Sequence, residues 1–279
     1  MFFTLPASSF PIELHFWRVS RATLVWHRCP LWDSALGLNQ KDCIAIDLLH
    51  SYYLGPLQVW AKLSWWCLID AGLWGAGTTT AEERQAISIA ALNHELQQWY
   101  SRYDAAHPGS PISRINKLNA SRLGAGRGPR RFKTKAMECW GCALFLLYFL
   151  ERKADRLPPL ASRLLEGGRK LVSFMEDLKG MGPNISDAEA QHLLDTWKQW
   201  MVFAEEVEAV TPKSHLMYHL ILKAPFMGNP LRYQVFADES LNRVLRDALR
   251  LCHQSRFEVM GILKMQEILR RPYIRRRLA

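Results

Sequence analysis

The chain has 279 residues, 49% of them hydrophobic and 22% charged, with a formal net charge of +10. That much apolar material builds one large or two small cored domains, which excludes a disordered tail. The basic excess favours an anionic partner, nucleic acid ahead of an acidic membrane surface, because a field of that sign draws polyanions from a distance.

Six cysteines, at 29, 43, 67, 139, 142 and 252, lie scattered through apolar segments. They lack framework spacing, which points to reduced thiols inside a cell. The start, MFFTLPASSF, has no basic residue and reaches Pro6 too early for a signal peptide. The longest apolar run, Cys139 to Leu150, falls short of the roughly 20 residues that span a bilayer. A soluble protein with no membrane contact is expected.

IELHFW (12–17) and ATLVWH (22–27) alternate apolar and polar positions and are rich in β-branched and aromatic residues, which predicts a hairpin joined through RVSR. Pro30 to Lys41 reads as a loop. CIAIDLLHSYYLGPLQVW, Cys43 to Trp60, then alternates up to Asp47 and afterwards takes helical spacing, so a short strand is predicted to run into a helix that reaches about Trp74. Asp47 would stand at the strand's C-terminal end, where α/β proteins place sites beyond the sheet edge. Capping of the following helix is the alternative role for the same side chain.

GAGTTTAEER ends that helix, and Thr80 with Glu82 and Glu83 offers capping chemistry for the next, which closes near Pro108. Residues 109 to 135 carry Arg114, Lys117, Arg122, Arg127, Arg130, Arg131, Lys133 and Lys135 without one acid, among glycines and prolines. Such a segment is expected to be a long exposed loop. It either contacts phosphates, releasing counterions, or serves as a solvated linker.

Helices follow. AMECWGCALFLLYFLE is apolar nearly all round and should be central. LASRLLEGGRKLVSFMEDLK is amphipathic despite its glycine pair and stops at GMGPN. Ser186 and Glu189 form a capping box for a helix to about Val210, and Thr211 with Pro212 opens another that should end before Pro225. The last block runs from VFADESLNRVLRDALRLCHQ to the basic tail RRPYIRRRLA.

Some short motifs point elsewhere. CWGC (139–142) has redox spacing but sits in an apolar helical run, without the exposure that a low thiol pKa needs. His215 and His219 are one helical turn apart, yet a closed zinc site needs more ligands, so packing or hydrogen bonding is the expected role. Tryptophans such as Trp65, Trp66, Trp197 and Trp200 fall at helical spacing and are expected in the core, not on a base-stacking platform.

The order IDLLHSYYLGPL, KTKAMECW, VTPKSHLMYHLI and NPLRYQVFADESLNRVLRD, over roughly residues 27 to 258, resembles the C-terminal half of the catalytic region of CACTA (En/Spm-like) transposases and their Kyakuja-Dileera-Zisupton relatives. The resemblance implies a mainly α fold with a small β component: a partial RNase H-like α/β core with a large all-α insertion. Residues 1–75 would give the hairpin, strand and helix of the core, 76–210 the helical insertion with its basic loop, and 211–279 the helices completing the core. It also implies an acidic site for Mg²⁺ or Mn²⁺ that cuts phosphodiester bonds, with Asp47 on the second catalytic aspartate, His50 its companion and Glu239, three residues after Phe236, the terminal glutamate; Asp238 is an adjacent competitor. Hard cations take carboxylate oxygens, and a metal pair steadies both the attacking and the leaving oxygen.

The family's first aspartate belongs on an earlier strand, and before Asp47 the only acids are Glu13, Asp33 and Asp42. A truncated or domesticated copy without a complete triad is therefore expected, binding DNA in the nucleus, with room for a homo-oligomer. An active metal-dependent nuclease subunit and a helical protein-interaction scaffold are the alternatives.

Overall fold

The structure is a computed structural model. It describes residues 45–74, 80–125 and 129–236, with isolated positions between 246 and 267. All of these lie in the second of two units into which the chain divides, Ala45–Ala279. Arg127, Asp238 and Glu239, together with the predicted hairpin, fall outside the described residues.

The described residues are mainly helical. A π-helical turn, Leu49–Tyr53, leads into α1, Pro56–Asp70, and then come α2, Ala81–Ala106, and the single turn α3, Ala120–Leu123. The longer helices α4, Ala136–Arg152, α5, Pro159–Gly180, α6, Asp187–Glu206, and α7, Pro212–Met227, complete the bundle. No strand occurs among the described residues, and Ala45–Asp47, the described part of the predicted strand, is irregular. The expected RNase H-like sheet finds no described counterpart.

Local sequence sets the helix ends. Thr80 accepts from the Glu83 backbone while the Glu83 carboxylate accepts from Thr80 N, and Ser186 and Glu189 repeat the exchange, so two orphan donors are satisfied at each start. Proline takes the first position of α1, α5 and α7, where its missing N–H costs nothing. α7 differs from expectation: it runs through Pro225 to Met227, for although the proline forfeits its own bond to Ile221 O, Gly228 N still closes on Ala224 O at 2.8 Å.

α1 lies at the centre, against α2, α4, α5 and the π-helical turn. Its Trp60 and Trp65 are fully buried, as are Trp197 and Trp200 of α6, so these indoles are core. Gly167 and Gly168 explain how α5 packs so closely. A β-carbon at Gly167 would lie 2.4 Å from the Phe203 ring, and one at Gly168 2.1 Å from Trp60. The glycine pair weakens the helix intrinsically but lets α1 and α6 approach it from two sides.

Residues 109 to 135 are not the wholly exposed loop that their charge predicts. Ile115, Leu118, Leu123 and Phe132 are buried in the common core. Backbone bonds from Arg131 N to Leu123 O and from Lys133 N to Arg122 O draw its two arms together, and Asn93 Oδ1 accepts from Leu118 N. Four apolar anchors outweigh the polar composition around them.

Candidate functional site

Asp47 enters the π-helical turn from an irregular stretch, and its carbonyl accepts from Ser51 N at 3.1 Å. Its Oδ2 accepts from His50 N at 2.9 Å and stands 2.6 Å from His50 Nδ1. A carboxylate can only accept, so Nδ1 carries the proton. The capping role is thus realised, with the His50 ring clamped in addition. Oδ1 accepts from Val235 N at 3.1 Å, a contact across 188 positions.

The chain reaches that point through Asn229, which is buried beyond α7. Its Nδ2 donates to Leu178 O and Gly182 O, its backbone N donates to Pro183 O, and its Oδ1 accepts from Leu231 N. These bonds fasten residues 229–231 to the end of α5. A short 3₁₀ turn, Pro230–Arg232, then points the backbone toward Asp47. Phe236 meets Tyr53 edge-on, ring centres 5.6 Å apart, and Tyr53 also contacts Trp140 and Met175. Lys213 Nζ donates to Leu54 O at 2.7 Å and ties the start of α7 to the same turn. All four stretches of the sequence pattern therefore meet at the π-helical turn, the second through Trp140 and the fourth through its described residues 229–236.

The Asp47 side chain is 19% exposed and His50 50%. Partial desolvation pushes the Asp47 carboxyl up, but the N–H groups of His50 and Val235 and the His50 ring outweigh it, so the group lies below the usual carboxylate range. Three of its roughly four lone-pair positions are engaged. Among the described residues no group of three His, Cys, Asp or Glu side chains could hold a metal ion. The described donor set therefore does not fit a metal pair.

Three cations of the basic segment are paired with acids that lie outside it. Arg130 reaches Asp70 with both guanidinium nitrogens, at 2.6 and 3.0 Å, while lying 4.2 Å over the Trp66 ring. Arg114 pairs with Asp104, Arg122 with Glu138 and the Lys133 carbonyl, and Arg131 with Ser121 O. Lys117, Lys133 and Lys135 are exposed and show no carboxylate partner among the described residues.

Cys139 and Cys142 are fully buried on α4; burial pushes both thiols up, Cys142 to about 12. His215 and His219 stand Nε2 to Nε2 at 2.9 Å on the exposed side of α7. Desolvation, then the charges of His215 and Lys223, hold His219 below its ordinary value. The Val235 contact was invisible to sequence reasoning, because a backbone N–H carries no residue signature. No helix among the described residues is long and apolar enough to cross a membrane. In comparison with known proteins the chain matches no family model, no curated protein and no solved structure.

Proposed function

We propose that this chain is a transposase-derived DNA-binding protein that does not itself complete metal-dependent cleavage. On this reading the helical body is the inserted and flanking part of an RNase H-like core, and the protein works on DNA in the nucleus. The observation that carries it is the bond from Val235 N to Asp47 Oδ1. Two segments of the resemblance, DLLH and the run leading into FADE, lie at opposite ends of the helical body in sequence, and this bond joins them. The net charge of +10 supports the anionic partner. The engagement of Asp47 by three donors supports a positioning role over a metal-ligating one.

Fluorescence anisotropy with labelled duplex DNA across a salt series tests the reading, alongside nicking of supercoiled plasmid in Mg²⁺ or Mn²⁺. Expected are binding that falls steeply with salt, intact binding in Asp47→Asn, and no nicking. Nicking that vanishes in both Asp47→Ala and Glu239→Ala would replace the reading with an active nuclease. Absence of salt-sensitive DNA binding would leave a helical interaction scaffold.

A further inference from the structure

The C-terminal halves of α2 and α4 meet in a row of aromatic rings. Trp99, buried, joins Tyr148 on one side, ring centres 6.5 Å apart, to Tyr103 on the other at 5.0 Å. His107 stacks on Tyr103 with centres 4.2 Å apart and planes 20° apart, and its own ring is exposed. Tyr103 and Tyr148 are half-buried. The guanidinium groups of Arg102 and Arg152 each lie 5.9 Å from the centre of the Tyr148 ring, and Arg152 donates to the Tyr148 hydroxyl.

Neither arginine has a carboxylate partner among the described residues. The two acids nearest in sequence are engaged elsewhere, Asp104 with Arg114 and Glu151 with Arg169. In the 109–135 segment acids neutralise Arg114, Arg122 and Arg130, while Lys117, Lys133 and Lys135 stand without a carboxylate partner among the described residues; what sets Arg102 and Arg152 apart is that both face one aromatic ring. A cation near a helix C-terminus complements the helix dipole, which accounts for Arg152 singly. It does not account for a second arginine on the same ring, nor for a half-exposed row of rings beside them. Stacking platforms flanked by uncommitted cations are the chemistry that holds an unpaired nucleic-acid strand, bases on the rings and phosphates on the guanidinium groups.

We infer that the Arg102, Tyr103, His107, Tyr148 and Arg152 face binds single-stranded DNA. The inference rests on the DNA-binding reading and adds the surface and the strand state. The occupant is argued from charge complementarity: two cations without acids, on a chain with net charge +10.

Anisotropy of the full chain with labelled oligothymidylate, and with the matching oligoadenylate–oligothymidylate duplex, tests it. Arg102→Gln combined with Arg152→Gln should weaken oligothymidylate binding about tenfold or more and lower the slope of log K against log salt by about 1.4, the contribution of two phosphates on a single strand. Tyr148→Leu should weaken binding while leaving that slope unchanged. Ultraviolet crosslinking of the unmodified chain, mapped by mass spectrometry, should mark Tyr103, His107 or Tyr148 and does not depend on any variant folding. Unchanged affinity and slope in the arginine variant, or crosslinks confined to residues 109–135, would overturn the inference. Tight duplex binding without single-strand binding would overturn it and leave the DNA-binding reading standing; no binding to either form would remove both.

Discussion

Trp60 and Gly168 meet so closely that no side chain fits between them, a β-carbon on the glycine falling 2.1 Å from the indole Cζ2. The ring cannot swing aside, because its Nε1 donates to Leu164 O at 2.7 Å, one turn earlier on the same helix. Helix propensity alone would make Gly168→Ala stabilising by about 1 kcal/mol. Overpacking against a fixed indole should reverse the sign and cost about 1–3 kcal/mol. Urea unfolding of the variant reads the sign directly; a gain in stability would mean that α1 and α5 stand farther apart than described.

Phe132 gives the corresponding test for the basic segment. The ring is 4% exposed and lies 6.1 Å from Trp65. If the segment were a solvated linker, Phe132→Ala would change stability little. As a core anchor it should cost about 3–5 kcal/mol. Thermal or urea denaturation distinguishes the two, and Arg130→Ala serves as comparison, since an exposed ion pair contributes only about 0–1 kcal/mol.

The buried thiols should be chemically silent while the chain is folded. Burial raises Cys67 to about 11 and Cys142 to about 12, and Cys139 moves in the same direction. The thiolate is the reactive form, so near pH 8 almost none is present. Alkylation with iodoacetamide, mapped peptide by peptide, should leave these three positions unmodified in the native chain and modify them in urea. Rapid native labelling of Cys139 or Cys142, or a disulfide between them, would restore the redox reading of CWGC.

What the sequence could show divides by range. Thr80 and Ser186 are legible because a cap is satisfied within three residues, and the tryptophans of α1 and α6 because burial follows helical spacing. The course of residues 109–135 was hidden, since their eight cations dominate the composition while Ile115, Leu118, Leu123 and Phe132 decide the packing. α7 outruns its expected end: Pro225 forfeits its own bond to Ile221 O, yet Gly228 N closes on Ala224 O beyond it. At the candidate site Asp47 and His50 could be read from DLLH, but the donor that fixes Asp47 from the far side is a main-chain N–H at Val235, set there by the bonds of Asn229. The Tyr148 platform needs two helices side by side. Only the Tyr148–Arg152 spacing of four hinted at it.

Asp47 should act as a clasp whose strength depends on its charge. Asp47→Ala strands the N–H groups of His50 and Val235 and should cost about 1–3 kcal/mol for the unsatisfied donors. Asp47→Asn keeps the shape but turns one N–H₂ toward donors, so its loss should approach that of alanine. The pH dependence carries a definite sign. Hydrogen bonds hold the folded carboxyl below its ordinary 3.8 against the desolvation that raises it, so as pH falls the unfolded chain takes up this proton first. The contribution is complete above 3.8 and is lost as pH drops through the folded value. Acid unfolding followed by circular dichroism should therefore show a shallower decline for Asp47→Asn than for the unmodified chain, from a lower starting stability. Parallel acid curves would mean that the carboxylate is not held by charge, and the join between residues 47 and 235 would lose its electrostatic basis.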